Sequence, residues 1–279
     1  MKTLVLDKSA LEAAPPGLLR RCRRDFDFLL TGHLFQEIGT EKLAQRHLMS
    51  ASELDALDHK LQMVFKRAVD EAGENWIDHT EALKLEVTQG RSSKGIIGKN
   101  VTSLPSLKDL ANGEVHDQCN IMEKVYADLA SLPHDPSFES DFRRLQRTPE
   151  ATVLEDFAAK TKSKEYIRYV SESAITAQWG WMVSPNFRPT PDWLAYGIFL
   201  AHYAYFRWKW AKFGDEPADR KKPANPAFDN YYIAFMAIAD GLLSSDRGML
   251  KLAWAAWPDK RDDIYQYNMK EESLVRFNP

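Results

Sequence analysis

The first fifty residues alternate short apolar runs with longer amphipathic ones. Residues 2–6, with Leu4-Val5-Leu6, and 26–31, with Phe28-Leu29-Leu30, predict strands, whereas 9–24 and 33–48 carry a helical period. Strand–helix alternation predicts parallel pairing with helices on the faces of the sheet. From Ala51 the texture changes. A helical period begins at Ser52 behind a serine cap candidate and runs to about Ala72, and further helices are predicted at 76–89, 114–131, 149–177 and 193–213. Residues 90–106 read as a loop, the proline-rich stretch 183–191 breaks the pattern, and 217–226 reads as a polar linker. Strand–helix texture then returns, with a helix predicted at 230–239 and a short apolar run at 241–245. The expected fold class is α/β. A parallel sheet flanked by helices is built from residues 1–48 and 223–279, and 49–222 form a large, mostly α-helical insertion.

Composition narrows the picture only a little. Hydrophobic residues at 44% and charged residues at 28% are ordinary for a globular chain of 279 residues. The formal charge of −3 gives no global attraction to nucleic acid, so such binding would rest on local basic stretches. The densest are Arg20-Arg21-Cys22-Arg23-Arg24 and Arg220-Lys221-Lys222, with Lys94 and Lys99 flanking the loop at 95–98. These read first as solvated helix ends and a linker, with phosphate contacts as the alternative. Cys22 and Cys119 are the only cysteines, which fits a reducing cytoplasm rather than a disulfide framework. His116 and Cys119 lack the second ligand pair of a structural zinc site. The opening residues lack the pattern of a signal peptide. A cytoplasmic location is the expectation.

Residues 193–213 carry Trp193, Tyr196, Phe199, Tyr203, Phe206, Trp210 and Phe213 at steps of three or four. His202, Arg207, Lys209 and Lys212 leave too short an uncharged run for the roughly 20 apolar residues of a membrane span. The stripe is expected to be core or a homo-oligomer contact rather than a platform for base stacking. Residues 93–100 do not make a phosphate-binding loop, because Ser93 and Asn100 stand where glycine and a hydroxyl residue are required. No serine–histidine–acid arrangement can be assigned.

Four acids carry the candidate chemistry. Asp7 ends the run Thr3-Leu4-Val5-Leu6, Glu37 lies early in the second helix, Asp229 opens the stretch 230–239, and Asp246 ends Gly241-Leu242-Leu243-Ser244-Ser245. In an open α/β sheet, strand ends and helix starts gather in one crevice where ligands bind. Carboxylates collected there repel one another unless a divalent cation neutralises them. Mg²⁺ or Mn²⁺ suits an all-oxygen ligand set. Each aspartate, taken singly, is also explained as a helix N-cap. Ser9 and Ser244 are placed to orient a carboxylate or a water, and Asp240 reads as a turn residue outside the set.

Leu4-Val5-Leu6-Asp7-Lys8-Ser9 resembles the opening strand and first acid of PIN-domain nucleases, with the hydroxyl residue two places on. Leu34-Phe35-Gln36-Glu37-Ile38 resembles the helix bearing their second acid. The block from Asp229 to Asp246 resembles their third acid, following helix, short strand and fourth acid. The resemblance covers about residues 1–48 and 225–260, and Lys8 stands where a small residue is usual. It implies a PIN-like fold and a Mg²⁺- or Mn²⁺-dependent endonuclease, with Asp7, Glu37, Asp229 and Asp246 as metal and catalytic residues. RNA is the implied substrate ahead of single-stranded DNA, because the likeness is closer to ribonuclease toxins and RNA-processing members; a toxin or defence role follows the same analogy. The inserted helices would serve self-association or a regulatory protein. A non-catalytic PIN-like interaction protein and a metal-dependent phosphatase are the alternative readings.

Overall fold

The computed structural model describes residues 1–32, 34, 50–96, 98–99, 183–198, 200–201, 204 and 224–279. Its centre is a seven-stranded, mostly parallel sheet in the order β4-β3-β2-β1-β5-β6-β7. β1 (Lys2–Leu6) and β2 (Phe26–Thr31) occupy the residues predicted from their apolar runs. Leu4, Val5, Leu6, Phe28, Leu29 and Leu30 are fully buried, as expected of central strands covered on both faces. β1 pairs in parallel with β2 on one side and with β5 (Gly241–Leu243) on the other. β3 (Asn75–Ile77) continues the parallel set beyond β2, and β6 (Ile264–Asn268) continues it beyond β5. The two edges are antiparallel: β4 (Gly98–Lys99) on β3 and β7 (Ser273–Arg276) on β6. The fold class is therefore α/β.

Several elements differ from the sequence expectation. The helix predicted at 9–24 is two: α1 (Lys8–Ala13) and α2 (Leu18–Cys22). Pro15 and Pro16 cannot continue a helix, and Gly17 takes the left-handed conformation (φ 81°) that restarts the chain. α3 (Ala51–Ala72) is capped by Ser50, whose side chain accepts from Glu53 N while Glu53 returns a bond to the Ser50 amide. The helix predicted at 76–89 is preceded by β3, and α4 (His79–Gln89) begins only after Asp78 caps it. The loop predicted at 90–106 contains a 3₁₀ turn, Ser93–Ile96, and β4.

Two strands of the sheet thus lie between residues 50 and 99, within the span read as a mostly α-helical insertion. α3 packs on β2 and α2. Residues 50–99 share the sheet and its core, while the helices predicted at 114–131 and 149–177 lie outside the described residues.

The segment starting at 194 is helical, and it too joins this core. Trp193 and Tyr196 are buried, Trp193 against Phe187 and Tyr196 against Trp257. A Cβ on Gly197 would stand 2.2 Å from Ala234 O, so the segment approaches the next helix backbone to backbone. The start of the aromatic stripe is therefore core, whereas Phe199, Tyr203, Phe206, Trp210 and Phe213 lie outside the described residues.

α5 (Ala224–Phe235) begins five residues before Asp229. Pro226 falls in its first turn, where a missing N–H costs no intrahelical bond, so the proline read as linker is part of the helix. α5 ends at Phe235, earlier than predicted. Lys260 Nζ bonds to Met236 O and Ala239 O in the turn that follows, and burial lowers the pKa of this ammonium to about 8. α6 (Arg247–Ala256) then crosses from β5 to β6. α2 packs on α3 and α5 on α6. Right-handed crossovers put the first pair on one face of the sheet and the second on the other.

Candidate functional site

The chain leaves β1 toward β2 and leaves β5 toward β6, although β1 and β5 are neighbours. Adjacent connections departing in opposite directions open a crevice at the strand C-terminal ends, the usual ligand site of such sheets. Asp7 follows β1 at this point and Asp246 follows β5. Asp7 N donates to Leu243 O at 3.1 Å, which fixes the two chain ends side by side.

Hydroxyls lace the two turns together. Asp7 Oδ2 accepts from Ser9 Oγ and from Ser244 Oγ, the latter at 2.7 Å. Ser9 Oγ accepts from Ser245 N at 2.9 Å, and Ser244 Oγ accepts from Asp246 N at 3.0 Å. Asp7 is 2% exposed and Ser244 is fully buried. Burial pushes the Asp7 carboxyl above the usual carboxylate range; the Ser9 and Ser244 hydroxyls and the Ser9 amide oppose this, and the nearby Asp246 carboxylate adds to the rise. Among the described residues no Lys, Arg or His forms an ion pair with Asp7. A buried carboxylate in that setting takes up a proton or requires a cation.

The capping explanation separates the acids. Asp246 is a working cap, its Oδ1 accepting from Gly248 N at 2.6 Å and Met249 N at 3.1 Å. Asp7 occupies the N-cap position of α1 but makes no side-chain cap bond. Asp229 does not open its helix, contrary to expectation; it lies in the middle of α5, which packs against β1 and α6. Its neighbour Asn230 is fully buried. Asp240 sits at the opposite edge of the sheet, where its carboxylate accepts from Thr3 N at 2.8 Å. Glu37 lies outside the described residues. The structure therefore brings Asp7 and Asp246 together, puts Asp229 on a helix flanking them, and separates Asp240 from all three.

Among the described residues no group of three or more His, Cys, Asp or Glu side chains converges to hold a metal ion. The donors at the crevice are two carboxylates and serine hydroxyls, all oxygen. That set fits Mg²⁺, which keeps several waters and is held through one or two carboxylates plus substrate phosphates rather than in an all-protein cage. Ser245 Oγ, in the same junction, is buried without a hydrogen-bond partner among the described residues. An unsatisfied buried hydroxyl costs about 1–3 kcal/mol, so the junction has room in its chemistry for a further polar partner.

Glu86, fully buried, offers a contrast. Glu86 accepts from Ser93 N (3.0 Å), Ser93 Oγ (2.6 Å), Leu194 N (2.8 Å) and Ala195 N (2.8 Å). It ties α4 to the start of the helical segment at 194, and its donors account for its burial. Asp78, at the end of β3 on the same sheet edge as Asp7, is likewise accounted for as the cap of α4, accepting from Glu81 N at 2.9 Å.

The basic stretches lie elsewhere. The turn at 23–25 leads into Phe26, whose register partner is Lys2, so Arg23 and Arg24 belong to the N-terminal edge of the sheet. That is roughly 16 Å from Asp7 at the usual rise per strand residue. Arg20 pairs with Glu71 at 3.7 Å, and Glu71 also accepts from Gly17 N. Lys99 lies on the edge strand β4, in register with Asn75 and three strands from β1, and Arg220-Lys221-Lys222 lie outside the described residues. No described helix is long and apolar enough to cross a membrane. Comparison of the chain with protein-family models, curated proteins and solved structures finds no match.

Proposed function

We propose that this chain is a divalent-metal-dependent endonuclease of PIN-like type, acting on RNA ahead of single-stranded DNA. The observation that carries the reading is Asp7: a buried carboxylate at a topological switch point, beside Asp246, with no cationic partner among the described residues and no capping role. Asp7 and Asp246 are the residues assigned to hold the cation, with Asp229 and Glu37 completing the acidic set. A bound Mg²⁺ or Mn²⁺ supplies positive charge to phosphoryl oxygens and makes water easier to deprotonate near neutral pH.

The residues of the chain supply orientation. Ser9 and Ser244 hold Asp7 Oδ2 from two sides, fixing the direction in which the carboxylate presents its remaining lone pairs. Ser244 also holds the Asp246 amide, so a shift of one acid is transmitted to the other. Burial of Asp7 strengthens its attraction for a cation, because charge interactions grow as water is excluded. The RNA preference rests on the likeness to ribonuclease members, since fold alone does not choose a substrate.

Purified protein incubated with single-stranded RNA, single-stranded DNA and duplex DNA, in Mn²⁺ or in EDTA, tests this reading. Mn²⁺-dependent RNA cleavage that is lost in Asp7→Asn and Asp246→Asn is expected. No cleavage of any substrate, or cleavage unchanged in both variants, overturns it. Turnover of a small phosphate ester alone would favour a phosphatase.

A further inference from the structure

Four of the five residues from Arg20 to Arg24 are arginine, and all four are exposed. Arg20 and Arg21 close α2, where a helix C-terminus favours cations, and Arg20 is further engaged by Glu71. That account stops at the end of the helix, because Arg23 is its C-cap and Arg24 lies beyond it. Arg21, Arg23 and Arg24 form no ion pair among the described residues. Acids are close at hand: Asp25 follows the run directly, and Glu74 follows Gly73, against which Arg23 lies. Three guanidinium groups therefore face solvent with no carboxylate in contact.

The corner that bears them is braced. Both carboxylate oxygens of Glu71 accept from Gly17 N, at 2.8 and 2.9 Å. Arg67 Nη2 donates to Ala14 O at 3.3 Å, so α3 holds the turn that starts α2. Two of the guanidinium groups lie over glycines of this corner. A Cβ on Gly73 would stand 3.2 Å from Arg23 Nη2, and one on Gly17 would stand 3.8 Å from Arg21 Nη1. Cations seated on a fixed surface lose less freedom on binding than cations on a loose loop.

We propose that Arg21, Arg23 and Arg24 are a holding surface for the phosphate backbone of the RNA substrate, set apart from the Asp7–Asp246 junction. The identity of the polyanion rests on the nuclease reading above. The whole chain, at −3, offers no general attraction to RNA, so capture needs a local array of positive charge. A guanidinium fork matches two phosphate oxygens at once, which suits arginine to this task better than lysine. A strand held here lies roughly 16 Å from Asp7, and none of the three arginines touches the reacting atoms. The surface reads no sequence, since phosphate contacts position a strand and base contacts specify it.

The test is fluorescence anisotropy of a 5′-labelled single-stranded RNA in EDTA, so that cleavage does not intervene, at a series of salt concentrations. Neutralising one cation that meets a phosphate of a single strand lowers the slope of log K against log salt by about 0.7. Arg21→Gln, Arg23→Gln and Arg24→Gln should each weaken binding by that signature, and the triple variant should lower the slope by about 2. The triple replacement by lysine should keep the slope while weakening binding, because the fork is lost and the charge is not. Lys60→Gln with Lys270→Gln, exposed cations elsewhere on the surface, should leave the slope unchanged. Thermal melts confirm that each variant is folded. An unchanged slope in the triple glutamine variant, or an equal reduction from Lys60→Gln with Lys270→Gln, overturns the assignment and leaves the nuclease reading intact. So does a parent that binds vesicles of phosphatidylserine and phosphatidylcholine through these arginines but binds no RNA. RNA binding that depends on the three arginines, without Mn²⁺-dependent cleavage, keeps the holding surface and removes the nuclease reading.

Discussion

Ser244→Ala removes the group on which the junction turns. The hydroxyl is fully buried, donates to Asp7 Oδ2 at 2.7 Å and accepts from Asp246 N at 3.0 Å. A hydrogen bond to a charged group contributes about 1.5–3 kcal/mol and a neutral one about 0.5–1.5 kcal/mol, giving a loss of about 2–4 kcal/mol once Asp7 is ionised. Unfolding entropy of about 2.1 cal/mol/K per residue makes this about 3–7 °C in Tm for a chain of this length. The charged part of the loss exists only while Asp7 is ionised. Burial raises the native Asp7 pKa, so the penalty of Ser244→Ala should be full above that raised value and shrink as pH falls through it. Thermal melts of both proteins across this range, in EDTA, provide the measurement. The same substitution in an Asp7→Asn background should cost only the neutral bonds. A loss equally large in that background would refute the idea that Ser244 acts on the Asp7 charge.

Asp7→Asn should raise Tm in EDTA at neutral pH. A carboxyl whose native pKa exceeds its unfolded value loses stability as pH rises between the two, so the gain should fade toward acid pH; melts showing destabilisation at neutral pH would count against a cation-free, uncompensated carboxylate. Trp193→Ala should cost about 3–5 kcal/mol, read by chemical denaturation, because Trp193 is buried against Phe187 in the common core. Its Mn²⁺ affinity in the folded state should be unchanged. Gly197→Ala should destabilise by about 1–3 kcal/mol in the same assay, since its Cβ would meet Ala234 O at 2.2 Å.

The central strands were legible because burial on both faces leaves a continuous apolar run, as in Leu4-Val5-Leu6 and Phe28-Leu29-Leu30. β3 was not, since three residues ending in Trp76-Ile77 carry no period that separates a strand from a helix start. The break at Pro15-Pro16-Gly17 was written in the sequence and was overridden by the helical period on either side. Asp229 was misplaced because Pro226 reads as linker when a helix start is not suspected. At the site, the strand-end positions of Asp7 and Asp246 follow from the pattern, but their coupling does not. The bond from Ser244 to Asp7 spans 237 positions and exists only because β5 inserts beside β1. Whether an aspartate caps its helix is likewise a matter of geometry: Asp246 does and Asp7 does not, in similar local settings.

Divalent-cation binding at the Asp7–Asp246 junction is the point on which the proposed function stands. Titration calorimetry of Mn²⁺ into the folded parent and single variants measures this most directly. Asp7→Asn and Asp246→Asn should each abolish most of the binding, and Asp229→Asn should weaken it. Asp240→Asn, whose carboxylate is bonded to Thr3 N at the far edge of the sheet, should bind as the parent does. Affinity unchanged in both Asp7→Asn and Asp246→Asn, or abolished in Asp240→Asn alone, would contradict the account.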